Sequence, residues 1–494
     1  MLRRLNLDQP GTVHKPSWPE GPTKYTPVFV GRPPFRRLVV LADAELIDEL
    51  DEKLWRPHVL LAGLLSHGLI DCIRYADEGP PSDVQTNEVA SLAVTPGWAI
   101  LLPSGVAPDI WEVRTGGEHR VARASIRGSR TNIAAQDTQT PVYEDMEAGA
   151  ASERRSKDAL AAQVAECVHA DIHVTERPYL HAREKPVVRG VTVVDVDQAL
   201  PLISLYLRAQ GEYLVYRSHD GRDTFRLNRG LFFWVGAREL VPAAWRWFNG
   251  LAQHSVATGD DTLFMLAQSA LMRITRALQV RDALHVALNR PQDNDVADDA
   301  LSSLDLIFLL LMGAVDATAR VVHHALNLKG SVHGAAWQYP KWLAKVAEKV
   351  AAFDGVIGSG SKYSHALTIL TTLRNSVHGE ALQPLAFRKG SQPQQTLVGI
   401  PSEDAQGLLD AVAALGWQRL LVFEKIVPGY FHTDPGVLLE HLLPLTLDLL
   451  NTLMETTPVE GLSGVTLIAS QVVPPPEEPF DERTRLSVRW QLGF

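Results

Sequence analysis

The order of apolar and polar positions divides this chain into a first part of alternating strands and helices and a second part made mostly of helices. The run Arg37-Leu38-Val39-Val40-Leu41 is typical of a buried strand, and within residues 43–54 apolar side chains recur at helical spacing. Further strands are predicted at 98–103, 110–114, 119–126, 170–175 and 190–194, with helices at 156–168 and 195–207. This alternation predicts an α/β domain with a parallel sheet over residues 36–210.

From about residue 239 onward the pattern changes to the 3.6-residue period of helices. Helices are predicted at 242–249, 261–288, 297–326, 340–352, 364–373, 402–415 and 435–454. We therefore expect a mainly α C-terminal part, with a helical connecting region at 211–296 and a bundle at 297–460. Residues 461–494 are predicted to form a short terminal β-ribbon, because two strand-like runs flank the prolines at 474–476.

Two stretches are predicted to lack both helix and central strand. Residues 1–35 contain seven prolines, which remove backbone donors and fix φ, so this segment is expected to be an extended Pro-rich arm. Residues 128–140 are polar and are expected to form a loop.

Composition places the chain among ordinary globular proteins and limits its partners. It is 46% hydrophobic and 21% charged, with a formal net charge of -10 at pH 7. This negative balance argues against indiscriminate binding to nucleic acid, so any contact with RNA must be local. One candidate patch is Arg273, Arg276, Arg281 and Arg290, for which an ordinary solvated helix face is the alternative interpretation.

No secretory signal, membrane span or cofactor motif is predicted. The first arginines are not followed by an apolar region, and the apolar stretch 304–315 contains Asp305 and is short for a membrane span. The two cysteines, Cys72 and Cys167, are far apart and have no zinc-site spacing. Phosphate-binding and dinucleotide-binding loops are also missing from the sequence. We expect a cytoplasmic protein without membrane contact, nucleotide or other cofactor.

The segment Arg374-Asn375-Ser376-Val377-His378 follows a predicted helix and contains residue types suited to RNA cleavage. If the helix continues, Arg374 and His378 are four residues apart and share a face. A neutral imidazole can take the proton of a ribose 2′-hydroxyl, and a guanidinium can stabilise the negative charge that develops on the phosphate. The alternative is a helix end, capped by Asn375 and terminated by His378 with Gly379.

A helical bundle with an Arg-Asn pair before a His resembles the HEPN family (higher eukaryotes and prokaryotes nucleotide-binding). The likeness covers about residues 297–454, and three residues separate Arg374 from His378 where the family usually has four to six. The resemblance implies an RNA-binding or metal-independent ribonuclease bundle of bacterial toxin, defence or RNA-processing type. It also implies catalytic roles for Arg374, Asn375 and His378, a further polar residue such as Asp316 or Arg320 from an earlier helix, and RNA and a second copy of the chain as partners.

The first part is similar to PIN nuclease domains, in which acidic residues follow strands. Asp43 would follow the first strand, and the run Ala170–Leu180 supplies Asp171 and Glu176. Clustered carboxylates suit Mg²⁺ or Mn²⁺, so these three residues are weak candidate metal ligands. A further acid from the middle helix is not evident, so we expect a degenerate domain without a bound metal.

These observations lead to two functional hypotheses. The first is an RNA-binding protein or metal-independent endoribonuclease that uses Arg374 and His378. The second is a non-enzymatic helical scaffold for dimerisation or partner binding, in which the same motif is structural. Exposure of His378 in an open groove would favour the first hypothesis, and a buried or capping role would favour the second.

Overall fold

The fold is described from a computed structural model of the full chain. It describes residues 36–47, 55–77, 97–103, 110–116, 122–182, 190–218, 223–377, 379–388, 390, 394–403, 405–419, 421 and 425–494. The predicted Pro-rich arm, residues 1–35, lies outside these residues.

A seven-stranded mixed sheet forms the centre of the first part. Its strands are β1 (Leu38–Asp43), β2 (Ile70–Tyr75), β3 (Gly97–Pro103), β4 (Ile110–Gly116), β5 (Ala122–Arg127), β6 (Ile172–Val174) and β7 (Thr192–Val194). The spatial order is β5-β4-β3-β2-β1-β6-β7, with β1, β2, β3, β6 and β7 parallel and β4 and β5 antiparallel. The predicted α/β character is therefore confirmed.

Helices cover both faces of this sheet. They are α1 (Ala44–Ile47), α2 (Pro57–Leu65), α3 (Ser129–Gln136), α4 (Ala148–Cys167), α5 (Pro178–Ala182) and α6 (Val196–Ala209). Side chains of β1 alternate between two cores: Val40 packs with α2 and α6, whereas Leu41 packs with α4. A strand buried on both faces reads as a continuous apolar run, which is why β1 is visible in the sequence.

The second part is rich in helix. Its helices are α7 (Arg229–Leu240), α8 (Ala244–Thr258), α9 (Thr262–Leu288), α10 (Asn294–Ala325), α11 (Pro340–Lys349), α12 (Ala352–Ile357), α13 (Lys362–Asn375), α14 (Gln406–Ala414), α15 (Pro435–Thr456) and α16 (Glu482–Gln491). Consecutive helices α9 and α10 pack along their lengths, and one hydrophobic core joins the elements from α7 to α16. The predicted helix-rich C-terminal half is confirmed.

Short antiparallel sheets accompany these helices. Strands β8 (Leu214–Arg217) and β9 (Thr224–Arg226) pair with each other, and β10 (Gln383–Phe387), β11 (Gln395–Pro401) and β12 (Tyr430–Thr433) form a three-stranded sheet in the order β10-β11-β12.

Two predictions of local structure are wrong. The terminal residues 461–494 do not form a ribbon; they contain 3-10 turns and α16, where the Asp481 carboxylate accepts a hydrogen bond from the Thr484 backbone N–H. Burial of Val488 and Leu492 in the helical core stabilises α16. Residues 128–140 are not all loop, because α3 occupies part of them and packs against α4.

In the part of the chain that the structure describes, two helices, Asn294–Ala325 and Pro435–Gly461, are long and apolar enough to cross a membrane. About half of the most apolar window of each, 50% and 56%, is buried inside the protein. This burial is the pattern expected of core helices in a soluble protein.

Candidate functional site

Helix α13 brings Arg374 to the surface of the helical half but stops directly after it. The helix ends at Asn375, and Ser376 and Val377 form a turn. The interpretation of Arg374 and His378 as two residues on one helix face required the helix to continue, whereas α13 ends at Asn375, as in the alternative interpretation of a helix end. His378 itself lies outside the described residues. Asn375 lies beside Arg374, whose Nη1 donates a hydrogen bond of 3.1 Å to Asn375 Oδ1.

Asp316 on α10 is the other predicted residue that the structure associates with Arg374. Its carboxylate is partly buried, and burial raises its pKa, while the positive charges of Arg374, Arg320 and Arg273 act in the opposite direction. The three arginines belong to α13, α10 and α9, respectively. Guanidinium groups from three helices therefore lie close enough to one carboxylate to act on it electrostatically, and we call Arg273, Arg320, Arg374 and Asp316 the arginine cluster.

Packing between α9 and α10 fixes the position of one member of the arginine cluster. Gly313 lies one helical turn before Asp316, and a Cβ built at Gly313 would lie 2.9 Å from Arg273 Nε. Because glycine has no side chain, the Arg273 guanidinium lies directly against α10. This close contact orients Arg273 along the same side of the hairpin as Asp316.

The arginines of this cluster differ from those that hold the helices together. Arg208 bonds Asp282, Arg281 bonds Glu440, and Arg485 bonds Glu239. Among the described residues, no carboxylate oxygen lies within 4.0 Å of the guanidinium nitrogens of Arg273, Arg320 or Arg374. Their charges are therefore available to an external anion.

The proposed arginine patch is divided in the structure. Arg281 is buried, where its Nε and Nη2 bond Glu440 and its Nη1 donates to the Leu492 carbonyl. Arg290 pairs with Asp299 at 3.0 Å, and Arg276 is exposed. Only Arg273 belongs to the arginine cluster, so the four residues do not form one surface.

Helix α11 adds positive charge near the end of α10, without an ion pair to any residue that the structure describes. Trp342 Nε1 donates a hydrogen bond of 3.2 Å to Nδ1 of His323, which lies one turn beyond Arg320. On the outer face of α11, Lys341, Lys345 and Lys349 are exposed at intervals of four residues, and we call them the lysine stripe. Residues 320–349 contain five Lys and Arg side chains and one acidic side chain, Glu348, in a chain whose net charge is -10.

A second cluster of charged side chains lies at the carboxyl ends of the parallel strands. Arg177, in the segment after β6, donates from Nε to Asp43 at 2.9 Å and from Nη1 and Nη2 to Asp77 at 3.2 Å. Its Nη1 also lies 3.4 Å from Asp158 of α4. We call Arg177 and its three carboxylates the strand-edge cluster.

Asp43 is held as a carboxylate by several donors. Thr175 Oγ1 donates to Asp43 Oδ2 at 2.7 Å, and His173 Nε2 lies 3.4 Å from Asp43 Oδ1. Burial alone would raise the pKa of Asp43, but the bond and charge of His173, the charge of Arg177 and the bond from Thr175 outweigh it and lower the pKa.

At Asp158, burial has a larger effect on the pKa than the neighbouring donors and charges. Burial raises the pKa of Asp158 despite the hydrogen bond from the Tyr143 hydroxyl, which is 2.6 Å long, and the charge of Arg177. Burial alone would lower the pKa of Arg177, but the charges of Asp43 and Asp77 outweigh burial. The net effect is a raised pKa. Arg177 is therefore a permanent cation among three carboxylates.

A cavity of about 270 Å³ opens above the strand-edge cluster. Its lining residues are Asp43, Glu45, Tyr75, Ala76, Asp77, Arg154 and Arg177. The Arg177 guanidinium also lies 5.5 Å from the centre of the Tyr75 ring.

Of the three candidate metal ligands, only Asp43 belongs to this cluster. Asp171 precedes β6 at the opposite end of the strands, where its Oδ2 accepts a hydrogen bond from Val39 N. Glu176 is 53% exposed and lies 3.4 Å from His58. Within the described ranges, no three His, Cys, Asp or Glu side chains are placed to hold a metal ion together.

Sequence reasoning missed Asp77, Asp158 and Arg177. Asp77 follows β2, which was not among the strands predicted from the sequence, so nothing in the sequence marked Asp77 as a residue at a strand end. Asp158 lies in the predicted helix at 156–168, where its contacts with Arg177 and Tyr143 depend on the tertiary fold.

Comparison with protein-family models, with curated proteins and with solved structures finds no match to this chain.

Proposed function

We propose that this protein binds RNA through the phosphates of its backbone, at the arginine cluster of the helical half, and cleaves it without a metal ion. The observation that carries the proposal is the convergence of Arg273, Arg320 and Arg374, from three helices, without an ion pair among the described residues. Unpaired guanidinium groups are well suited to phosphate oxygens, because their planar donors bond two oxygens at once.

The distribution of charge supports RNA over a small anion. A net charge of -10 repels nucleic acid on average, so a binding surface has to be locally positive. The lysine stripe extends the positive charge beyond the arginine cluster, since His323 joins α11 to the end of α10. An extended polyanion can contact both groups, whereas a single phosphate can contact only one.

The cleavage chemistry that we propose uses two residues of the sequence motif. His378 accepts the proton of the ribose 2′-hydroxyl, and the 2′-oxygen attacks the phosphorus to form a 2′,3′-cyclic phosphate while the P–O5′ bond breaks. The leaving 5′-oxygen takes a proton from water, and Arg374 stabilises the negative charge that develops on the phosphate oxygens. Asn375 orients Arg374 through the hydrogen bond from Nη1. The Asp316 carboxylate lies within the electrostatic influence of the same three arginines.

The experiment is RNA cleavage by purified protein in EDTA, on single-stranded and structured substrates. We expect wild-type protein to cleave, and His378→Ala and Arg374→Ala to lose about 10²–10⁴-fold in rate. Arg290→Ala is the matched control, because Arg290 is an exposed arginine of the same half that already has a carboxylate partner. Cleavage that is lost in EDTA, or that His378→Ala retains, would contradict the metal-independent mechanism.

A second candidate function is a non-enzymatic scaffold, and one observation favours it. Leu306 and Leu309 of α10 are 45% and 36% exposed and lie three residues apart on the helix surface. Exposed apolar side chains that are grouped can form a protein contact. Sedimentation analysis of wild type and Leu306→Glu tests this: a dimer that the variant abolishes, without any RNA binding by wild type, would favour the scaffold.

A further inference from the structure

The strand-edge cluster lies between β1 and β6, where the order in which strands are added to the sheet reverses. The chain proceeds from β1 through β2 to β3 on one side, and β6 and β7 lie on the other side of β1. Ligands of open α/β sheets bind outside the carboxyl ends of strands at such a switch point. Asp43 ends β1, and the segment containing Thr175 and Arg177 follows β6, so both sides of this crevice contribute to the cluster.

The similarity to PIN domains implies a divalent metal ion near these strand ends, but the residues present do not fit one. The centre of the cluster holds the guanidinium of Arg177, whose side chain is 5% exposed. Its nitrogens lie within 3.4 Å of Asp43, Asp77 and Asp158, so the carboxylates are directed at Arg177. A hard divalent cation needs several oxygen ligands, and here the oxygens already accept hydrogen bonds from the N–H groups of Arg177 and from the hydroxyls of Thr175 and Tyr143.

Electrostatic repulsion also disfavours a divalent metal ion at the strand-edge cluster. Arg177 offsets part of the charge of the three carboxylates, and a divalent ion added beside it would be repelled by the guanidinium at short range. Removing the guanidinium would leave three carboxylates, contributed by β1, the segment after β2, and α4, around a space of its size. Mg²⁺ and Mn²⁺ commonly keep several waters, so these carboxylates need not all contact the ion directly.

We propose that Arg177 is a built-in cation that occupies the position of a divalent metal ion at the switch point and excludes it. The natural chain then binds neither Mg²⁺ nor Mn²⁺ at Asp43, Asp77 and Asp158. Truncation of Arg177 creates a site for one such ion at these carboxylates. The proposal concerns the α/β half and does not depend on RNA binding by the helical half.

The test is thermal unfolding of the full-length protein in EDTA and in increasing Mn²⁺, with bound Mn²⁺ counted by electron paramagnetic resonance. Arg177→Ala is expected to bind one Mn²⁺ and to gain several degrees in Tm at about 100 times Kd. Wild type and Arg177→Lys, which keeps a cation at this position, are expected to show neither effect. Arg177→Ala/Asp158→Asn should bind Mn²⁺ at least about tenfold more weakly than Arg177→Ala, because one carboxylate is lost.

Three outcomes would overturn the proposal. One is saturable Mn²⁺ binding by wild type that Asp43→Asn abolishes. Another is folded Arg177→Ala that gains no bound ion. If Arg177→Ala does not fold in EDTA, Mn²⁺ is titrated in a refolding assay. The third overturning outcome is that Mn²⁺ then fails to restore folded protein.

Discussion

Arg273 of α9 lies directly against Gly313 of α10, so close that a Cβ on Gly313 would be 2.9 Å from Arg273 Nε and 3.0 Å from Arg273 Cδ. The contact places a guanidinium one helical turn from Asp316, whose carboxylate is influenced by Arg273, Arg320 and Arg374. A glycine in the middle of a helix is unfavourable by about 0.5–1 kcal/mol relative to alanine. Gly313 therefore lowers the stability of α10 slightly, but its missing side chain leaves the space that Arg273 occupies.

We predict that Gly313→Ala separates RNA binding from stability. The added methyl group displaces the flexible end of Arg273, so RNA affinity falls, whereas the free energy of unfolding stays the same or rises by up to about 1 kcal/mol. Fluorescence anisotropy with labelled RNA and urea denaturation measure the two quantities. Gly407→Ala in α14, where nothing lies within 4 Å of the added Cβ, is the control. Unchanged affinity in Gly313→Ala would show that the position of Arg273 is irrelevant to binding.

We predict that Arg177 is essential for stability in the absence of metal. Arg177→Met leaves Asp43, Asp77 and Asp158 without their shared cation, and removal of one partner from a buried ion pair costs about 3–5 kcal/mol. Urea denaturation in EDTA gives the value. Arg290→Met, at a pair whose side chains are 49% and 61% exposed, should change stability by less than about 1 kcal/mol. A similar small effect for both variants would contradict the importance of the strand-edge cluster.

Features that depend on local pattern could be predicted from the sequence. The apolar run of β1 and the acid at its end, Asp43, were found because a strand buried on both faces reads as a continuous apolar run. The long helices α9, α10 and α15 were found because their helical periodicity continues over several turns.

Features that depend on distant contacts could not be predicted. Arg177 meets Asp43 across 134 residues of sequence and Asp77 across 100, and neither separation leaves a local signal. The terminal helix α16 was mistaken for a strand because its short run alternates, while its stability depends on burial of Val488 and on the cap at Asp481. The sequence placed the end of the helix 364–373 close to the observed end of α13 at Asn375, but it left open whether the helix continued to His378.

Acid should destabilise the helical half through Glu440, which joins α15 to α9. Burial alone would raise the pKa of Glu440, but bonds from His285 and Arg281 and the charges of both lower it from 4.5 to about 2. A depressed folded-state pKa adds stability above the unfolded-state pKa, and this stability is lost as pH falls from about 4.5 to about 2. We predict that the stability difference between wild type and Glu440→Gln, measured by urea denaturation, narrows over this range. A difference independent of pH would contradict the ionic role of Glu440.

The lysine stripe should contribute to RNA affinity without contributing to the fold. We predict that Lys345→Glu weakens RNA binding at low salt and leaves Tm nearly unchanged, because the side chain is exposed and has no ion pair among the described residues. Lys157→Glu in α4, a charge reversal at a 42% exposed lysine of the α/β half, is the control. Equal losses of affinity in both variants would indicate an effect of net charge instead of a binding surface.

The most direct test of RNA binding at the arginine cluster is the salt dependence of RNA affinity in EDTA. Kd is measured by fluorescence anisotropy over a series of salt concentrations for wild type, for Arg273→Ala/Arg320→Ala/Arg374→Ala, and for Arg290→Ala. We predict that wild type and Arg290→Ala share a steep dependence of log Kd on log salt, and that the triple variant binds more weakly with a slope reduced by about 2–3, because each lost phosphate contact reduces it by about 0.7–1. A folded triple variant with the affinity and slope of wild type would contradict the account.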